Sequence, residues 1–229
     1  MGLTQMGCIE VVCGSMFSGK TEELMRRLKR AQYAKQKIQV FKPVIDQRYS
    51  TDHVQSHDAN KILSTPVKTA KEILDRVDDN TRIVGIDEAQ FFDDYIVEVA
   101  QKLAYRGTRV ICAGLDLDFK GQPFGPMPLL LAVAESVTKL SAVCVVCGAP
   151  ATRSQRLVAQ TETIPAENDS NFKEGQVLVG AHDYYEARCR ICHEPNAIMT
   201  SQPGLFPNQM KSQIQNSSKQ NNKNLAEIG

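Results

Sequence analysis

Residues 7–21 read Gly7-Cys8-Ile9-Glu10-Val11-Val12-Cys13-Gly14-Ser15-Met16-Phe17-Ser18-Gly19-Lys20-Thr21. Residues 7–13 form an apolar, β-rich run that stops at Gly14, as a buried strand does. Gly14 to Thr21 fit the pattern GxxxxGK[ST], and Leu24, Met25, Leu28 and Ala31 follow at helical spacing. A strand entering such a turn and a helix leaving it is the setting in which the motif binds phosphate. The glycines let backbone N–H groups turn inward around phosphate oxygens, and the helix beginning near Lys20 adds the positive end of its dipole. Lys20 is expected on the β- and γ-phosphates and the Thr21 hydroxyl on Mg²⁺. The ligand expected on Gly14, Ser15, Met16, Phe17, Ser18, Gly19, Lys20 and Thr21 is therefore a nucleoside triphosphate with its Mg²⁺.

Outward from this loop the chain keeps alternating. Residues 37–42 read as a strand halted by Pro43, 43–61 as a polar loop, 67–77 as a helix and 82–87 as an apolar strand. A helix over 94–106 and a strand over 108–114 follow. A Gly/Pro-rich loop (114–128) then leads to a short helix near 128–134 and a strand near 136–143. Near-continuous apolar strands alternating with helices predict an α/β fold whose parallel sheet is covered on both faces.

Ile83-Val84-Gly85-Ile86-Asp87-Glu88 is an apolar strand ending in two acids. Beside a phosphate-binding loop, an acid at the end of a neighbouring strand holds Mg²⁺, and Asp87 is placed for that. Glu88, one residue on, points elsewhere and is a candidate to accept a proton from a nucleophile. The pair alone does not name the acceptor, which is water in an ATPase and a hydroxyl in a kinase. Ala89 and Gln90 complete the segment expected around the nucleotide.

With 42% hydrophobic and 23% charged residues, the 229-residue chain falls in the globular range, which excludes a mostly disordered protein. No apolar run approaches the roughly 20 residues needed to span a bilayer. The N-terminus lacks a basic segment followed by an apolar one, so the expectation is a cytosolic protein that does not engage membrane. The formal charge of +1 argues against a surface built for long polyanions, so no nucleic-acid partner is expected.

Seven cysteines without a secretory signal do not read as a disulfide framework. Cys8, Cys13 and Cys112 lie in apolar surroundings and read as small core residues. Cys144-x-x-Cys147 and Cys189-x-x-Cys192 have metal-ligand spacing: each pair offers two thiolates from one tight turn, and two turns complete a zinc tetrahedron. His193 is an alternative to Cys192 as fourth ligand, although Cys192 keeps the symmetric spacing. The enclosed segment, 148–188, is long for such a site, and loops of that length usually carry function or are disordered. Beyond Pro203 the Asn/Gln/Lys/Ser-rich chain offers nothing to bury and is expected to be a disordered tail.

Taken together, GSMFSGKT (14–21), DQRY (46–49), DEAQFF (87–92), GLDLDFKGQPFG (114–125), ESVTKLSAVCVVCGAPATRSQR (135–156) and GAHDYYEARCRIC (180–192) resemble the type II thymidine kinases. The likeness spans roughly residues 7–200. It implies a RecA-like P-loop domain over 1–143, a small zinc-binding lasso domain over 144–202 and the tail over 203–229, commonly assembled as a homotetramer. It implies transfer of the ATP γ-phosphate to the 5′-hydroxyl of thymidine, and of deoxyuridine, in the salvage of DNA precursors, with dTTP as a feedback inhibitor. By the same resemblance Glu88 is the general base, and Lys20 and Arg48 are the catalytic cations near the transferring phosphate. Phe119 packs on the thymine ring, with Met16, Leu115 and Ser154 lining the pocket. Gln176, Val177, Leu178, Val179 and Gly180 present backbone to the base, and Tyr185 meets the nucleoside. Ser154 stands where threonine is common, and Ala181 replaces the second glycine of a frequent pair. Two other classes compete: a nucleic-acid-stimulated ATPase with a zinc-bearing DNA module, and a nucleotide sensor that does not turn over. The absence of a basic, aromatic run near the cysteine pairs counts against the first, and the acid pair against the second.

Overall fold

The apolar runs become one six-stranded sheet. Its strands are β1 (Cys8–Gly14), β2 (Ile38–Pro43), β3 (Ser64–Val67), β4 (Ile83–Ile86), β5 (Arg109–Gly114) and β6 (Ser136–Leu140), in the order β3-β2-β4-β5-β1-β6. Every neighbouring pair is parallel. The computed structural model describes residues 7–44, 63–157 and 185–195. Arg48, Gln176–Gly180 and the expected tail lie outside them. The chain divides into two compact units, Met1–His193 and Glu194–Gly229, and of the second only Glu194 and Pro195 are described.

Alternation along the central strands sends successive side chains to opposite faces. On one face Val12, Ile111 and Ala113 meet Leu24, Leu28 and Ala31 of α1 (Lys20–Tyr33). On the other, Val11, Cys13, Val110 and Cys112 meet α2 (Ala70–Arg76), α3 (Tyr95–Tyr105) and α4 (Met127–Val133) through Ile73, Ile96, Val99, Leu103, Met127 and Leu130. The expected two-sided burial is what the chain builds, and Cys13 and Cys112 are core residues, as read, whereas Cys8, expected to be one too, is only half-buried. Burial pushes the Cys13 and Cys112 thiols up to about 11 and about 12, so they are inert.

α1 lies close over β4. A Cβ added at Gly85 would stand 3.0 Å from Leu28 Cδ1. Leu28 has no exposed surface, so Leu28→Ala leaves a cavity in the layer that follows the loop 14–19. The expected cost is about 2–5 kcal/mol, read from the denaturation midpoint at unchanged slope.

Two expectations are corrected. The stretch 136–143 is not one strand: β6 ends at Leu140, and β7 (Ala142–Val143) pairs antiparallel with β8 (Pro150–Ala151) in a separate ribbon. Ser64–Val67, for which no strand was expected, is one, and the helix expected from 67 begins at Ala70 behind a Thr69 cap. A second ribbon pairs β9 (Arg153–Arg156) with β10 (Tyr185–Arg188). The two ribbons share a small core of Ala142, Cys144, Ala151, Ala187 and Cys189.

Candidate active site

In a parallel sheet the ligand side is where the strands end. β4, β5 and β1 are neighbours, so the loop after β1, the acid pair after β4 and Leu115 after β5 come out side by side. Gly14 permits the tight exit from β1: a Cβ there would lie 2.4 Å from the Leu140 carbonyl oxygen. Gly19, the N-cap of α1, has φ of 83°, the left-handed region that glycine enters without penalty.

Within the loop the Ser15 carbonyl accepts from Ser18 Oγ and from Lys20 Nζ, both at 2.8 Å. Lys20 is buried, and burial lowers its pKa; the carboxylates of Glu88, Asp87 and Asp116 act in the opposite sense. Asp116, itself buried, is ion-paired to Lys139 at 2.5 Å. The basic nitrogen is therefore held among negative charges.

The acid pair splits. Asp87 faces Thr21, whose Oγ1 stands 3.4 and 3.3 Å from the two carboxylate oxygens. Glu88 has φ of 52°, a conformation uncommon for a residue with a side chain, and begins the short 3-10 turn Ala89–Phe91. That twist sends its carboxylate away from Asp87 toward Gln90, whose Nε2 donates to Glu88 Oε2 at 2.5 Å. Gln90 is fully buried, and its Oε1 accepts from the Leu115 N–H at 3.0 Å. One side chain thus ties the end of β4 to the end of β5.

The two ribbons reach the loop after β1 directly. Ser15 Oγ donates to the Ala151 carbonyl at 3.1 Å, and Ser154 Oγ accepts from the Met16 N–H at 3.0 Å. Phe119 sits in a turn closed on itself: Asp118 Oδ1 accepts from the N–H groups of Lys120 and Gln122, and the Asp118 and Gln122 backbones pair. Its ring is 4% exposed and lies 5.2 Å from the Arg156 guanidinium. Tyr185, in register with Arg156, is buried. Met16, Ser154, Phe119 and Tyr185 are in this way linked through β9. Arg156 and Gln90's bridge to Leu115 were not singled out from sequence; the only signal is that Ser154 and Arg156, two apart on one strand, share a face.

The cysteine pairs close on one another. The sulfurs of Cys144, Cys147, Cys189 and Cys192 all lie within 4.8 Å of one another. Both turns are built alike, Gly148 N–H donating to the Cys144 carbonyl and His193 N–H to that of Cys189. Burial opposes ionisation of Cys144, yet hydrogen bonds from the backbones of Cys189, Cys147 and Val146 bring its thiol down to about 6. Cys192 is pushed up to about 12, by burial first and then by the other thiols. Four thiols so close resist ionising together, and a divalent cation removes that conflict, so the donor set fits a structural zinc. The cluster is made by the four cysteines, Cys192 included, and His193 stands apart from it with its Nε2 2.9 Å from the Phe119 carbonyl oxygen.

Comparison with known proteins gives a family. The thymidine kinase family model matches residues 7–193. A curated thymidine kinase of Bdellovibrio bacteriovorus is 58% identical over 189 residues, covering 82% of this chain and 86% of that protein. Among solved structures, the flagellar accessory protein FlaH of Methanocaldococcus jannaschii aligns at a TM-score of 0.45 with 12% identity, over 64% of this chain and 76% of that one. A likeness that loose carries no argument. With the match running from the first strand through the second cysteine turn, the chain belongs to the thymidine kinase family.

Proposed function

We propose that the chain transfers the γ-phosphoryl group of ATP to the 5′-hydroxyl of thymidine, giving dTMP and ADP, and accepts deoxyuridine as well. The observation that carries this reading is the split of the acid pair: Asp87 turned to Thr21, Glu88 turned to Gln90 and the end of β5. One carboxylate is left for the metal and one for the acceptor. Thr21 and Asp87 would hold Mg²⁺, which when bound neutralises charge on the phosphates. The loop amides and Lys20 would bind the phosphates, Lys20 giving up its bond to the Ser15 carbonyl. Glu88 would take the proton of the 5′-hydroxyl as the new O–P bond forms and the bond to ADP breaks.

Arg48 would steady the charge that spreads over the transferring group. Met16, Leu115, Phe119, Ser154 and Tyr185 would hold the nucleoside, with Gln176–Gly180 presenting backbone to its base. Deoxyuridine lacks only a methyl group, a difference that discriminates weakly in an apolar pocket, by about 1–3 kcal/mol. Residues 1–143 would form the nucleotide-binding domain and also supply Met16, Leu115 and Phe119 to the acceptor. Residues 144–202 would form the zinc-binding lasso domain that completes the acceptor pocket, and 203–229 would serve neither. We place the protein in the cytoplasm as a homotetramer feeding DNA precursor salvage; no helix among the described residues is long and apolar enough to cross a membrane. Because dTTP carries both the base and a triphosphate tail, it would span acceptor pocket and phosphate loop and inhibit.

The test supplies ATP and Mg²⁺ with each nucleoside in turn and then with single-stranded DNA, following ADP and nucleoside monophosphate. ADP and dTMP in equal amounts with thymidine are expected. DNA-dependent ADP without a nucleotide product would replace this reading with that of an ATPase.

A further inference from the structure

The residue after the last zinc-site cysteine is a buried histidine with a defined partner. His193 is 7% exposed, and its Nε2 stands 2.9 Å from the Phe119 carbonyl oxygen, 74 residues away in sequence. A carbonyl accepts only, so Nε2 carries the proton and donates. The same residue's N–H donates to the Cys189 carbonyl at 3.0 Å, so its backbone belongs to the second cysteine turn while its ring reaches out of it. Against the ring lies the tip of the Phe119 turn: a Cβ on Gly121 would meet His193 Cε1 at 3.5 Å, ordinary contact.

The turn it holds is stiff inside and paired at its base. Its own bonds run from Asp118 to Lys120, Gly121 and Gln122, and Leu117 pairs with Pro123 below them, while the imidazole ties it to the cysteine turn. The Phe119 ring is covered by two cations, Arg156 at 5.2 Å and Lys120 at 5.5 Å, and cation–ring contacts allow sliding that a hydrogen bond to the backbone does not. The imidazole fixes the carbonyl of the residue that bears the ring.

We propose that His193 is a positioning residue for the nucleoside: it joins the zinc-bearing turn to Phe119 and sets the height of the aromatic surface on which the pyrimidine rests. This rests on the reading of Phe119 as the base-stacking residue. The cysteine site then has a second duty, since the rigidity of its turn is delivered to the acceptor pocket through one side chain.

The experiment uses the full chain with His193→Ala and His193→Gln, because the glutamine amide nitrogen reaches about as far as Nε2 and also donates. Measured are KM for thymidine and for ATP, kcat, zinc per chain, and hydrogen exchange at the Lys120, Gly121 and Gln122 amides. In His193→Ala the thymidine KM is expected to rise about three- to tenfold, as the ring's hydrogen bonds to the backbones of Phe119 and Ser154 are lost. The ATP KM and zinc content stay at wild-type values, and exchange at the three amides quickens about tenfold. His193→Gln returns both readouts to within about twofold of wild type.

The proposal is overturned by an unchanged thymidine KM, by equal rises in both KM values, by loss of zinc from both variants, or by failure of the glutamine to rescue. Wild-type protein that makes no dTMP would instead remove the functional reading and with it the nucleoside's part in the proposal. The exchange comparison then still reports whether His193 holds the turn.

Discussion

Glu88→Gln is expected to lower kcat by about 10²–10⁴-fold, the usual worth of a general base, while both KM values stay within a few fold. The substitution removes proton acceptance and one of the carboxylate charges acting on Lys20, while the hydrogen-bonded geometry around it survives. Gln90 Nε2 donates to Glu88 Oε2, and an amide oxygen at that position accepts the same bond. The left-handed backbone at residue 88 is unchanged in kind, and Gln90 keeps its hold on Leu115. What is lost is the ability to take a proton from a hydroxyl that is a poor nucleophile at neutral pH. Asp87→Asn provides the contrast: it faces Thr21, so its effect should appear as a shifted Mg²⁺ dependence together with a lower rate. Steady-state rates at saturating ATP and thymidine decide the matter. Near-normal kcat in Glu88→Gln leaves catalysis to positioning and charge neutralisation alone.

The second large effect is on the cysteine site. Cys189→Ser is expected to reduce zinc from about one per chain to none and to destabilise the ribbons by more than about 4 kcal/mol. The reason is how little else holds them. Their buried core is Ala142, Ala151 and Ala187 with Cys144 and Cys189, so two of its five members belong to the four-cysteine cluster. Alanines bury little area, and without the metal the remaining thiols are again four-in-one-place minus one. Metal analysis and melting curves check this, and a variant with full zinc and an unmoved transition would refute it. Loss should also reach the phosphate loop, through Ser15 to Ala151 and Met16 to Ser154.

The glycine-rich turn after β1, the placement of the acid pair and the clustering of the cysteines were legible because each is a local pattern with a local cause. The sheet was legible for the same reason: its central strands are apolar along their length. Two boundaries misled for identifiable reasons. β3 contains Pro66, which argues against a central strand, and β3 is in fact an edge, where a missing donor is tolerated. The run from Ser136 to Val143 keeps strand character through Ser141, and nothing local shows that its last two residues leave for another sheet. His193 on the Phe119 carbonyl and Arg156 on the Phe119 ring were beyond reach. Both join segments far apart in sequence, and neither residue type carries a periodicity or spacing that announces such a partner.

The strand order has a consequence for how the chain reaches this state. Of the six strands of the sheet β1 is synthesised first, yet its two neighbours are β5, beginning at Arg109, and β6, ending at Leu140. At about 5–20 residues per second, a ribosome needs on the order of 5–20 s to deliver the roughly 100 residues separating β1 from its first partner. Through that interval β2, β4 and β3 can pair among themselves, but the strand that ends in the phosphate loop has nothing beside it. Closure of the sheet around β1 is thus a late, long-range event, the kind that slows folding and lengthens exposure of an unpaired apolar edge. A nascent chain halted before residue 109 should lack the paired β1 that positions the loop 14–21, and the loop read first in the sequence is among the last parts to be built.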